Sequence, residues 1–247
     1  MKTGDVETIE RATAAAVSPQ AIEEVDGWLL AFDSGTVGRA KSAVPLQYPS
    51  ATEASLLIDR IEARYAARGL PAQFRLARSS CFDEVRAELR RRAYRAEQPT
   101  QVQLGPVSKV RAVSAVLADV DLAPDAAWAA LFVGEGFDPV DGASRVAALG
   151  RAPGSLYASV REGGRTVAAG AAAFSHGWVS VHGMRTAPAW RGRGLAGRIL
   201  AALAEAAPAR GMARCFLQVE DGNASAQALY RRAGFGLAWT YEYWRRP

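Results

Sequence analysis

Arg191-Gly192-Arg193-Gly194-Leu195-Ala196 sets two glycines and two arginines at a corner between a strand-like run and an amphipathic, helix-like run. Glycine permits backbone conformations and close approach that a Cβ would obstruct, and the amides of a loop entering a helix N-terminus converge on one point. Successive N–H donors at the positive end of a helix dipole suit a ligand with clustered negative charge, such as a pyrophosphate. On its own the hexapeptide reads equally as a tight, positively charged helix entry. A second group lies downstream. Asn223 follows Asp221-Gly222 where a helix would begin, and Tyr230 stands seven residues on, nearly two turns later and on the same side. Asn223 suits an N-cap. Tyr230 offers either a phenolic proton or an aromatic ring packing beside Leu229 and Phe235.

The elements that must position these residues follow from periodicity. Residues 156–161, 165–175 and 178–186 read as three antiparallel strands, joined by the turn signals Gly163-Gly164 and His176-Gly177. Leu195, Ile199, Leu200, Leu203 and Ala207 recur at helical spacing before Pro208 and Gly211 mark an exit. A strand over 213–220, a helix over 223–233 and an aromatic strand over 235–244 complete a mixed sheet flanked by helices, an α/β fold.

From Leu156 to Trp244 the chain resembles the core of the GNAT acetyltransferase superfamily, whose loop runs Arg or Gln, two residues, Gly, one residue, then Gly or Ala. Arg191, Gly194 and Ala196 fill those places. Asn223, Ala226, Tyr230, Gly234 and Phe235 are similar to a second family signature, Asn-x-x-Ala-x-x-x-Tyr-x-x-x-Gly-Phe. The resemblance implies the GNAT acyl-CoA N-acyltransferase fold, with acetyl-CoA as acyl donor. It implies direct attack on the thioester by a primary amine of a small molecule or peptide. It places Arg191, Gly192, Arg193, Gly194, Leu195 and Ala196 on the pyrophosphate, and Asn223 and Tyr230 on the cofactor. The backbone of Met184, Arg185 and Thr186 would bind the pantetheine arm where the fourth and fifth strands part, with Gly183 as a bulge. Leu217, Gln218, Val219 and Glu220 would flank the thioester. Tyr230 then becomes the expected proton donor to a departing thiolate, whose free acid has a pKa of about 8.5.

An alkylammonium, with a pKa of about 10, must lose a proton before it can attack. His182 lies two residues before Met184, on the same face of a regular strand, and imidazole titrates near neutrality; the alternative is a histidine simply hydrogen-bonded in the sheet. Glu220 is the second candidate base, or else a solvated strand-end carboxylate. Where some relatives carry a fourth-strand Glu this chain has Ser180. That leaves open a water relay without a single base. It also leaves an alternative function, a CoA-binding regulatory or scaffold protein without turnover.

The 247 residues exceed one such core by about a hundred. Strands over 25–32 and 38–46, a helix over 52–68, a strand over 72–77, a helix over 82–92 and a strand over 98–104 repeat the C-terminal order. The turn Gln47-Tyr48-Pro49-Ser50 stands in place of the Gly-rich loop. The chain therefore reads as a tandem pair, a degenerate GNAT-like domain over 1–105 and a transferase domain over 106–247, meeting at Gly105-Pro106. Between 123 and 150 two short helices are expected. The resemblance puts Phe132, Glu135, Phe137 and Asp138 at the acceptor pocket, the aromatics being equally readable as core.

The net charge of +5 draws attention to Arg86, Arg90, Arg91 and Arg92, which read as a solvated helix face rather than a nucleic-acid patch. No run approaches the roughly 20 apolar residues that span a bilayer, and the start from Met1 to Arg11 is charged. A cytoplasmic protein with neither membrane nor nucleic-acid partners is expected, as monomer or homodimer. Its Ala and Arg richness points to a GC-rich bacterium. Cys81 and Cys215 have neither disulfide nor metal spacing and read as small buried residues, so no metal is expected.

Overall fold

The computed structural model describes residues 3–47 and 53–247. The charged start did not announce the first element, helix α1 (Thr3–Val17). Ile9 and Ala12, one turn apart, bury its inner stripe. The hairpin β1 (Ala21–Val25) and β2 (Trp28–Phe32) follows. The strand expected over 25–32 is thus a turn plus one strand, because Asp26 (φ 49°) and Gly27 (φ 77°) reverse the chain in the two-residue manner that positive φ allows. Residues 38–46 likewise form a 3-10 turn (Gly38–Ala40) and a short strand β3 (Ala43–Pro45), rather than one strand. Then come α2 (Ala54–Ala66), β4 (Phe74–Ala77), α3 (Asp83–Arg91) and β5 (Arg95–Pro106), in the expected order. Thr52, the expected start of the first long helix, and the turn residues Tyr48, Pro49 and Ser50 lie outside the described residues.

After α4 (Val107–Arg111) and β6 (Asp119–Asp121) come the two expected short helices, α5 (Ala126–Phe132) and α6 (Pro139–Gly150). The antiparallel strands β7 (Leu156–Glu162), β8 (Arg165–Ser175) and β9 (Trp178–Thr186) lead to α7 (Leu195–Glu205). Strand β10 (Arg214–Glu220), helix α8 (Ala224–Arg232) and strand β11 (Gly236–Arg245) finish the chain.

All these strands form one sheet in the order β1-β2-β3-β4-β11-β5-β10-β9-β8-β7-β6. Its centre is near-palindromic. The parallel pairs β3–β4 and β9–β10 flank the antiparallel pair β11–β5. Strand β5 runs beside β10 from Thr100↔Glu220 to Pro106↔Arg214, and β11 runs beside β4 from Tyr241↔Ala77 to Trp244↔Phe74. Each half's last strand therefore completes the other half's sheet, which removes two exposed edges.

Strand alternation divides the core between the two faces. Helix α7 packs Ile199, Leu200 and Leu203 on Val179, Val181 and Leu217. Helix α1 covers Trp178, Phe216 and Tyr241 from the other side. In the first half Trp28, Leu30 and Phe32 face α2 and α3, while Leu29 and Ala31 share a cluster with Ala14 of α1. Beneath α1, Glu10 and Arg75 of β4 form an ion pair at 2.5 Å, each only 2% exposed, with the guanidinium 4.9 Å over the Tyr241 ring.

Two expectations about surfaces change. The α3 arginines are tied to the protein rather than simply solvated: Arg86 bonds Asp83 and the carbonyls of Ala77 and Ser79, Arg92 reaches Asp59, Glu62 and Glu88, and Arg90 stacks on Trp244. Cys215 is buried as expected, but Cys81 is exposed, because it sits on the 3-10 turn Ser80–Phe82 with Sγ 3.0 Å from Ser79 Oγ. No helix among the described residues is long and apolar enough to cross a membrane.

Candidate active site

Strands β9 and β10 pair only from Cys215↔Val179 to Leu217↔Val181. Beyond that point β10 stays with β5 as far as Glu220, and β9 stays with β8 as far as Thr186. The sheet opens there, leaving the facing backbone of residues 182–186 and 218–220 without a strand partner. The expected bulge is present: Gly183 has φ 61°, and the β8–β9 register slips between Ala169↔Arg185 and Ala171↔His182. A Cβ at Gly183 would also come within 2.7 Å of Leu149 Cδ1.

The bulge changes which way the side chains point. Met184 packs with the α7 core, whereas the His182 ring lies edge-on to Phe216 at 6.3 Å, on the α1 side. The expectation that His182 and Met184 share a face is therefore overturned; one extra residue inverts the alternation. The same shift sends Arg185 away from the α7 core. Its guanidinium lies 4.3 Å over Phe137 and 3.2 Å from Asp141 of α6.

The glycine loop follows β9 on the surface. Gly192 (φ 77°) and Gly194 (φ 76°) are left-handed, and Gly194 is the N-cap of α7. Among the described residues, the five successive amides 192–196 find no acceptor, whereas Gly197 and Arg198 already bond back to the Gly194 carbonyl. Such a row of free N–H groups at a helix start is an anion nest. Arg191 Nε donates to Thr186 O at 3.3 Å, and Arg193 stacks at 4.4 Å on Trp190. Asn223 is the N-cap expected from sequence, its Oδ1 accepting from Ala226 N at 3.1 Å.

A cavity of about 640 Å³ occupies the gap between β9 and β10. It brings together His182, Met184, Arg185, Glu220, Asn223 and Tyr230; Thr186 and the loop 191–196 lie outside its lining. Tyr230 belongs to the α7-side core and Tyr241 and Tyr243 to the α1-side core, so the gap is a window through the sheet. Of the residues expected near the acceptor only Phe137 reaches it. Phe132 is fully buried and stacked on Trp128, Asp138 caps α6, and Glu135 lines a separate cavity beside Trp190. Sequence reasoning missed the cations of the far wall: Arg39 and Lys41 after β2, Arg145 on α6 and Arg245 on β11. No local pattern marks them, because only the exchanged strands and α6 bring them to one place.

Burial sets the chemistry of the two central groups. Tyr230 is 7% exposed, which pushes its phenol up to about 12, and its hydroxyl finds no hydrogen-bond partner among the described residues. His182 is 4% exposed, and burial, aided by the Arg39 charge, pushes its imidazole down to about 3. Its Nε2 is buried without a partner among the described residues. A stability consequence follows. Between the ordinary value of 6.5 and about 3, the unfolded chain binds a proton at His182 that the folded chain refuses. The stability associated with the neutral ring is thus intact above about pH 6.5 and lost progressively as pH falls toward 3. Urea titrations should show wild type losing stability relative to His182→Asn by up to about 1.4 kcal/mol per pH unit below about pH 6. Parallel pH dependences in the two proteins would contradict a buried, uncharged His182.

The geometry has counterparts among known proteins. No curated protein matches the chain. Among solved structures, a GCN5-related N-acetyltransferase from Kribbella flavida superposes with a TM-score of 0.70 at 16% identity, over 99% of this chain and 96% of that one. A tandem GNAT protein from the clavulanic acid biosynthesis pathway gives 0.61 at 12% identity, over 96% and 86% of the two chains. A GCN5-related N-acetyltransferase from Sphaerobacter thermophilus gives 0.54 at 15% identity, over 100% and 95%. At these identities the likeness is one of fold, the GNAT fold in tandem. The family described as "Probable histone acetyltransferase Rv0428c C-terminal" matches residues 3–244. That match takes in both halves, and the chain therefore belongs to this family of GNAT-type acetyltransferases.

Proposed function

We propose that the chain transfers the acetyl group of acetyl-CoA to a primary amine, with residues 1–105 and 106–247 as two repeat units that complete one another's sheet. One observation carries the reading: β9 and β10 part after Leu217↔Val181, opening a window that both faces of the sheet share. The five free amides at 192–196 and the two left-handed glycines fit a pyrophosphate, and the unpaired edge of β9 at Met184, Arg185 and Thr186 fits an amide-bearing arm. Acetyl-CoA, when bound, supplies an activated acetyl thioester.

The chain's own residues manage the protons. Tyr230 keeps its Oη proton at neutral pH and has no acceptor for it among the described residues, so that proton is free for a departing thiolate. Ser180, in the place where some relatives carry a Glu, is buried and bonds Ala173 O at 3.4 Å. Two acceptors that do line the window are His182 and Glu220. The depressed pKa of His182 suits a transient hydrogen bond rather than a stored proton. Glu220, at the open end of β10 and held by Gln98 Nε2 at 2.7 Å, is the outlet toward solvent. Surrounding cations lower the pKa of an entering ammonium and so favour the attacking form.

Incubation with acetyl-CoA and a panel of amines tests the reading. Thiol release in step with N-acetylated product, identified by mass, is expected. Saturable acetyl-CoA binding with no thiol released by any amine would leave a CoA-binding regulatory protein instead.

A further inference from the structure

The wall of the window opposite Tyr230 has an unbalanced charge. The cavity is lined by five cationic side chains, Arg39, Lys41, Arg145, Arg185 and Arg245, against two carboxylates, Asp141 and Glu220. Asp141 is already saturated: it accepts from Arg145 at 2.5 Å, from Arg185 at 3.2 Å and from Thr36 Oγ1 at 2.8 Å. Glu220 holds Gln98, and Arg245 is paired with Glu97 and Gln73.

Arg39 and Lys41 remain. Neither has a carboxylate within ion-pair distance among the described residues. Among the described residues Arg39 Nε is buried without a hydrogen-bond partner, as is Nε2 of His182 on β9. Half-buried charges without a counter-ion are costly, and the cost is met when a bound ligand supplies the anion. The segment carrying them is firmly seated, since Val37 and Ala40 are buried against Val17 and Ala148.

Resting on the transferase reading above, we infer that the acceptor amine carries an anionic group, a carboxylate or a phosphate, which Arg39 and Lys41 bind on the α6 side of the window. The cofactor's own phosphates do not account for these cations, because the free amides at 192–196 lie outside this cavity on the surface after β9. A Lys-rich tail, the acceptor that the family's description brings to mind, would enter a cleft whose five positive charges outnumber its two carboxylates and repel it. The volume, about 640 Å³, suits a small molecule.

Matched acceptors test this with the wild-type protein: γ-aminobutyrate against n-butylamine, O-phosphoethanolamine against ethanolamine, and a Lys-rich histone-tail peptide. The anionic member of at least one pair should exceed its neutral partner in kcat/KM by about tenfold or more, mainly through KM. The pair with the larger ratio tells carboxylate from phosphate. Arg39→Gln and Lys41→Gln should each raise KM for that acceptor about tenfold while the acetyl-CoA dissociation constant stays in place. Equal or better use of the neutral amines or of the peptide overturns the inference and leaves the transferase standing. So does a pair of folded variants, with wild-type melting curves, whose acceptor KM is unmoved. Acetyl-CoA binding with no amine acetylated removes the transferase reading and this inference together, so the two failures are distinguishable.

Discussion

Tyr230→Phe is expected to lower turnover by about 10²-fold or more while leaving the acetyl-CoA dissociation constant nearly unchanged. The substitution removes one oxygen that has no hydrogen-bond partner among the described residues, and it keeps the ring, which packs edge-on to Phe235 at 5.9 Å. Folding should therefore be indifferent to it. Turnover should not be, because this phenol lines the window on the α7 side and its proton stays in place across the neutral range. Steady-state rates and calorimetric binding, measured on the same preparation, separate the two effects. Equal turnover would return Tyr230 to a packing role.

The largest expected effect on stability lies elsewhere. Glu10→Ala should destabilise the fold by about 3–5 kcal/mol, because it leaves the guanidinium of Arg75 buried without its counter-ion. Nε and Nη1 of Arg75 already lack partners among the described residues. The loss should extend to the site. Thr13, one turn from Glu10 on α1, accepts from Gln218 Nε2 at 3.0 Å, and Gln218 in turn accepts from the Tyr241 hydroxyl at 3.1 Å. The double variant Glu10→Leu with Arg75→Met should recover most of the loss, since removing both charges of a buried pair is far less costly than removing one. Urea denaturation of the three proteins checks this. A single-variant loss below about 1 kcal/mol would show that water reaches the pair.

The parts of this site that a sequence declares are the local ones. The Gly192 and Gly194 corner, the Asn223 cap and the strand–helix order around them depend on neighbours within a few residues, and the structure has them where periodicity and capping chemistry put them. Helix α1 was hidden because its residues, charged at the start and Ala-rich beyond, make a stripe recognisable only against Trp178 and Phe216. The orientation of Arg185 was hidden by one residue, since the bulge at Gly183 inverts every side chain after it. The acceptor wall was hidden altogether. Arg39, Lys41 and Arg245 reach the window because β5 and β11 change places between the halves, a pairing with no local signature.

The central claim is that a glycine corner holds the acyl donor so that it enters an opening in the sheet, and direct titration of acetyl-CoA into the folded protein tests it. The account predicts saturable heat at one site, and an affinity about tenfold weaker or more in Gly194→Val. A Cβ at residue 194 would meet nothing within 4 Å, so packing is spared, while φ 76° is strained for a branched side chain and disturbs the row of amides. No saturation with the folded wild-type protein, or an unchanged affinity in a folded Gly194→Val variant, would contradict it.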